Sequence, residues 1–174
     1  MIEIVIILFI IILIVILSGI MSGSEAALLS LNVAKIKEYE RAHKHSKKSE
    51  KILKKVENKA NSLLKIKEYL QYYISVLVVL NNIINIGGSV LIGYVVTQFF
   101  GEVFLGIVTA LLTLAIIIFS EVIPKVIGER HSLKVSLLMS RFIIIAGFML
   151  NVFIILLEKF VSVIVRYSST ENIS

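Results

Sequence analysis

Lysine and arginine are absent from residues 1–34 and again from 69–124, and those stretches are almost unbroken hydrocarbon. A helix that is apolar all round needs either the core of a large protein or a membrane around it, and 174 residues are too few to build the former. The apolar spans at 4–24, 69–95 and 103–123, free of charge except for Glu121 in the last, are each long enough, or nearly so, to cross a hydrocarbon layer of about 30 Å. Composition points the same way, with 57% hydrophobic and 17% charged residues and a mean hydropathy of +0.95. The expected class is all-α integral membrane, with three transmembrane helices plus juxtamembrane helices in one domain over residues 1–165.

The charge that remains is concentrated. Residues 35–68 hold twelve lysines and arginines against five glutamates, a local balance of +7 in a chain whose net charge is +6. Basic loops between apolar spans stay cytoplasmic, so 25–68 is expected inside as a helical hairpin. The N-terminus then lies outside and the C-terminus in the cytoplasm of a multi-pass cell-membrane protein. The partners this basic loop suits are anionic lipid headgroups rather than nucleic acid. The opening Met1-Ile2-Glu3 lacks the positive region of a signal peptide, so the first span is expected to be retained. No cysteine is present, which excludes disulfides, thiolate metal sites and cysteine nucleophiles.

A fourth apolar stretch, 142–157, is only 16 residues between flanking charges, about 24 Å of helix. It is short for a crossing and is expected as part of a belt helix over about 132–165, though a full crossing is the alternative. The polar end, 166–174, reads as the start of a linker. In the hairpin, Ile52, Val56, Ala60 and Leu63 recur at helical spacing, with Leu28, Leu29, Ile36 and Tyr39 as a weaker repeat nearby.

Polar residues interrupt each span once. Ser18, Gly19, Ser22, Gly23 and Ser24 end the first, just before Glu25, and the helix is expected to unwind there. Asn81 and Asn85, four apart on one helix face, precede Gly87 and Gly88 in the second. The third carries Glu121 just before Pro124, whose missing amide is expected to free the carbonyl of Ser120. Each has a plainer reading: close packing for Gly19-x-x-x-Gly23, interhelical hydrogen bonding for the asparagines, and an ion pair with Lys125 for Glu121. Together they form a set of hydroxyl, amide, carbonyl and carboxylate oxygens, which suits hard cations such as magnesium, sodium or calcium. A carboxylate at bilayer depth costs a few kcal/mol unless a cation, water or protein offsets it.

At these residues the sequence resembles the transmembrane domain of the cyclin M/CorB/CorC family of magnesium transporters, also called hemolysin-C-like proteins. The resemblance rests on SGSEAALLSL after the first span, NNIINIGGS in the second and SEVIPKVIGERHS closing the third. Bacterial members usually carry G-E-I-I-P-K in the last motif, where Ser120 here replaces the glycine. The resemblance implies a homodimer, a belt helix after the third span, and a central cation cavity lined at Ser22, Asn81, Asn85 and Glu121. Gly23, Asn82 and Lys125 are weaker candidates. It also implies cytoplasmic CBS domains beyond the linker.

The function this implies is export of Mg2+, with Na+ as the exchanged ion, through a central oxygen-ligand site at broken helices. A polyamine or other cation as cargo, and a magnesium-sensing membrane anchor that moves nothing, are the alternatives. An enzyme is not expected, because the spans hold no histidine to activate a serine and the chain has no aspartate.

Overall fold

The computed structural model describes residues 2–44 and 50–170, and among them every long element is helical. His45, and residues 171–174 at the end of the expected linker, lie outside the described residues. The helices are α1 (Ile2–Ser30), α2 (Val33–Lys44), α3 (Glu50–Glu68), α4 (Leu70–Phe100), α5 (Glu102–Ala115), α6 (Ile123–Arg130) and α7 (Ser132–Thr170). A π-helical segment, Ile116–Val122, joins α5 to α6, so that these three form one long rod.

Four stretches are long and apolar enough to cross a membrane: Ile4–Ser30, Leu70–Phe100, Phe104–Arg130 and Ser132–Ser162. The fourth contains the segment that looked too short. Its helix continues past both flanking charges, because Ser132, Ser136 and Ser140 bury one face of its first turns where the sequence reads as a polar junction. The same helix continues through Thr170, so residues 166–170, expected as linker, are helical.

α1 is the central element, packed against α4, the π-helical segment, α6 and α7. At its C-terminal end the hairpin closes over it. Leu28, Leu31, Ile36, Ala60, Leu63, Ile66, Leu77 and Ile143 form one buried cluster drawn from α1, α2, α3, α4 and α7. The buried face of α3 is therefore Val56, Ala60, Leu63 and Ile66, while Ile52 and, on α1, Leu29 are exposed. Lys67 joins the hairpin to α1 by donating from Nζ to the carbonyl of Leu28 at 3.1 Å, one of the last-turn carbonyls that an α-helix leaves without an internal partner.

At the other end α4 turns back at Gly101, where φ is +77°, a conformation costly to residues with a Cβ. Its amide bonds the Thr97 carbonyl at 3.1 Å, and Glu102 opens α5 with a carboxylate at the positive end of the helix dipole. Ile7, Ile14, Ile92, Val96 and Leu112 fill the space between α1, α4 and α5. Tyr72 ties α4 to α7 through its hydroxyl, 2.6 Å from the Gly147 carbonyl.

Candidate cation site

Two registers set where the polar residues fall. α1 and α4 run antiparallel: Ser18 Oγ donates to Asn81 Oδ1 at 2.5 Å, and the Ile14 side chain occupies the space above Gly88. α1 and the third span run in the same direction at a constant offset. Ser120 Oγ donates to the Val15 carbonyl at 2.9 Å, Pro124 lies on Gly19, and Gly128 lies on Gly23, each pair 105 residues apart in the chain. α1 thus lies between α4 and α6, and α4 meets the third span through α5.

The first span does not unwind. Ser24 Oγ bonds the Ile20 carbonyl at 2.6 Å inside a continuous helix, and Gly19 and Gly23 are used for close approach. A Cβ on Gly19 would stand 3.1 Å from Pro124 Cγ, and one on Gly23 would stand 3.0 Å from the Pro124 carbonyl oxygen. The second span is also unbroken, with Ser89 Oγ bonded to the Asn85 carbonyl at 2.7 Å. Broken helices therefore do not build this site: the departure from α-helix is the π-helical segment around Glu121. There the Ile123 amide bonds the carbonyl of Ile118, five residues back. Pro124 has no amide to offer either the Phe119 carbonyl five residues back or the Ser120 carbonyl four back. π-Helical turns of this kind occur often at functional sites.

Ser22 is fully buried, and its Oγ has no hydrogen-bond partner among the described residues. Asn85 Oδ1 is likewise buried and unpartnered. Asn81 is buried too, but its Oδ1 already accepts the Ser18 hydroxyl. Glu121 is half-buried and takes part in no salt bridge among the described residues, so the expected alternative of a pair with Lys125 is not formed. Of the weaker candidates, Asn82 and Lys125 are exposed, and the Gly23 carbonyl is packed against Gly128. Ser18, which holds Asn81, and Ser136, a second buried hydroxyl without a partner among the described residues, were not among the expected site residues. The spacing Ser132-Ser136-Ser140 was the available signal for the latter.

These groups do not converge on one point. From the Ser18–Asn81 bond, Ser22 lies one turn toward the C-terminal end of α1, while antiparallel Asn85 lies one turn the opposite way. Their backbones are therefore separated along the bundle by about 12 Å. Glu121, at the level of Ile16 by the 105-residue offset, stands near the height of Asn85. Ser22 and Asn85 thus stand at two levels of a column along α1, and Glu121 belongs to the third span, which packs on α1 directly and on α4 through α5.

A rod bundle of apolar helices with unpaired oxygens in its interior defines a multi-pass membrane protein. The chain belongs to the cyclin M family: the description "Cyclin M transmembrane N-terminal domain" matches residues 8–173. It is 35% identical over 140 residues to the UPF0053 protein sll1254 of Synechocystis sp., covering 80% of this chain and 36% of that protein. A UPF0053 protein of Haemophilus influenzae is 32% identical over 120 residues, covering 68% of this chain and 25% of that protein. The UPF0053 inner membrane protein YfjD of Escherichia coli is 28% identical over 120 residues, with the same coverage of each chain. The chain spans between a quarter and about a third of the length of these relatives.

Proposed function

We propose that the chain is the membrane domain of a cation exporter, with Mg2+ as cargo and Na+ as the ion exchanged for it. The observation that carries this reading is the pair of buried oxygens without partners, Ser22 Oγ and Asn85 Oδ1, on either side of the Ser18–Asn81 bond. Buried polar atoms are nearly always hydrogen-bonded, and leaving one unpaired costs about 1–3 kcal/mol. Inside apolar helices a cation, or the water around it, offsets that cost. The donors are all oxygen, and one carboxylate, Glu121, supplies the charge, which fits a hard cation and weak, reversible binding.

Magnesium binds oxygen at about 2.0–2.1 Å and gives up its waters reluctantly. Groups on levels about 12 Å apart cannot all touch one bare ion. In this reading the ion keeps part of its hydration shell and passes between an Asn85–Glu121 level and a Ser22 level, and the Ser18–Asn81 bond lies between them. The π-helical turn and Pro124 give the third span a place to flex as the two levels exchange access.

The reading extends to topology. The first three apolar rods cross the membrane, the N-terminus lies outside, and the basic hairpin and C-terminus lie in the cytoplasm. α7 serves as a belt, two copies pair across their exposed apolar faces, and CBS domains follow on the full-length chain. Mg2+ flux into proteoliposomes, followed with a trapped magnesium dye, tests the core of this proposal. Glu121→Gln is expected to abolish flux while leaving the protein folded. Wild-type flux in that variant would remove Glu121 from the site, and Mg2+ binding without any flux in the wild type would favour a membrane sensor.

A further inference from the structure

We propose a binding site for an anionic phospholipid in the cleft between the hairpin and the start of α7, separate from the cation column. The cleft has a volume of about 600 Å³ and takes Lys35 from α2, Lys59 from α3, Arg130 from the end of α6 and Lys134 from α7. Among the described residues no carboxylate lines it, and Glu129, the nearest acid in sequence, is exposed elsewhere. Four cationic side chains from four helices around one concavity repel each other unless an anion is present.

Two further features point to phosphate. Ser132 lines the cleft, is only 4% exposed, and its hydroxyl makes no hydrogen bond among the described residues. It also opens α7, whose first backbone bond runs from the Val135 amide to the His131 carbonyl at 3.0 Å. The first amides of a helix lack internal acceptors and carry the positive end of its dipole, so residues 132–134 present a hydroxyl, free amides and an ammonium in one place. That is the donor set of a phosphate site at a helix N-terminus.

The apolar wall decides for a lipid over a free phosphate. Leu138, 77% exposed, lines the cleft and also an adjoining apolar crevice of about 350 Å³ along α1 and α6. A diacyl phosphate fits both: the headgroup among the cations, and a chain over Leu138 into the crevice. The site stands independently of the cargo assigned above.

Native mass spectrometry of the purified chain tests this, with phosphatidylglycerol and phosphatidylcholine of identical acyl chains supplied in equal amounts. Phosphatidylglycerol is expected to be retained in preference to phosphatidylcholine. Lys59→Gln/Arg130→Gln/Lys134→Gln should lower its retention by about tenfold or more, since each basic residue near a lipid surface contributes about 1 kcal/mol. The control Lys51→Gln/Lys54→Gln/Lys65→Gln removes as many charges from outside the cleft and should leave retention unchanged. If the triple variant does not fold, Lys134→Gln alone, at an exposed position, is expected to show a smaller loss in the same direction. Equal retention of the two lipids, or equal loss in the control, overturns the site. Displacement of the lipid by excess inorganic phosphate overturns the lipid as its occupant.

Discussion

Gly128 stands so close to Gly23 that a Cβ at 128 would collide with the carbonyl oxygen of Gly23, nearer than real Cβ contacts come. α1 and α6 therefore touch backbone to backbone, which only a residue without a side chain permits at this crossing. Gly128→Ala is expected to destabilise the bundle by about 1–3 kcal/mol or more, because backbone rather than a flexible side chain must yield. Gly23→Ala, whose Cβ would meet the Pro124 carbonyl at 3.0 Å, should cost less, and Gly87→Ala, with open space around it, should cost almost nothing. Thermal unfolding in detergent, followed by loss of the monodisperse peak, ranks the three. An order with Gly87 worst would contradict the register.

The Ser18–Asn81 bond at 2.5 Å holds α1 to α4 in an apolar setting. Ser18→Ala leaves the asparagine oxygen buried and unpaired, with an expected cost of about 1–3 kcal/mol. Measured hydrogen bonds between membrane helices average about 0.6 kcal/mol, so the lower end is expected. Replacing both residues, as Ser18→Ala/Asn81→Leu, should recover part of the loss. A double-mutant cycle in reversible detergent unfolding reads the coupling, and zero coupling would mean the bond is not formed in solution.

Asn85 and Ser22 should behave in the opposite way. Each buries an oxygen that no described residue satisfies, so Asn85→Leu and Ser22→Ala are expected to leave stability unchanged or raise it slightly while lowering Mg2+ flux at least tenfold. Such a trade marks groups kept for function at a cost in stability. Paired flux and melting measurements check it. Loss of stability in step with flux would make both residues structural.

Burial lowers the pKa of Lys67 below its ordinary value of 10.5. Folding therefore disfavours its charged form, and the sign follows: the penalty is fully present below the folded pKa, fades as pH rises from there to 10.5, and is gone above. Its contribution to stability should rise across that alkaline window. Lys67→Met should flatten that part of the stability–pH curve, while losing the bond to the Leu28 carbonyl. Chemical unfolding measured from neutral to alkaline pH shows whether the slope disappears.

Much of this was legible before any coordinates. Spans free of charge must be helical in lipid, because backbone groups there have no water to bond, and this placed the apolar rods and the basic hairpin. The three polar interruptions were visible for the same reason: a serine, asparagine or glutamate is conspicuous in hydrocarbon. The sequence did not reveal what each interruption does to its helix. Glycine and serine next to one another at 18–24 read as an unwinding signal, yet those glycines admit Pro124 and Gly128, and the hydroxyls of Ser18 and Ser24 bond across and within helices. The π-helical turn was also hidden, since a single proline signals a lost amide but not whether the chain answers with a kink or a wider turn.

Sequence alone determined that the chain is a membrane domain and which residues are polar inside it, because both follow from the cost of moving a side chain or a peptide group out of water; the family resemblance rested separately on three ordered motifs. Only the tertiary structure decided that Ser22 and Asn85 occupy different heights, that Ser18 has taken Asn81, and that four cations surround one cleft. Those facts depend on the direction and register of helices far apart in the chain, which packing sets through a few close contacts such as Gly23 on Gly128.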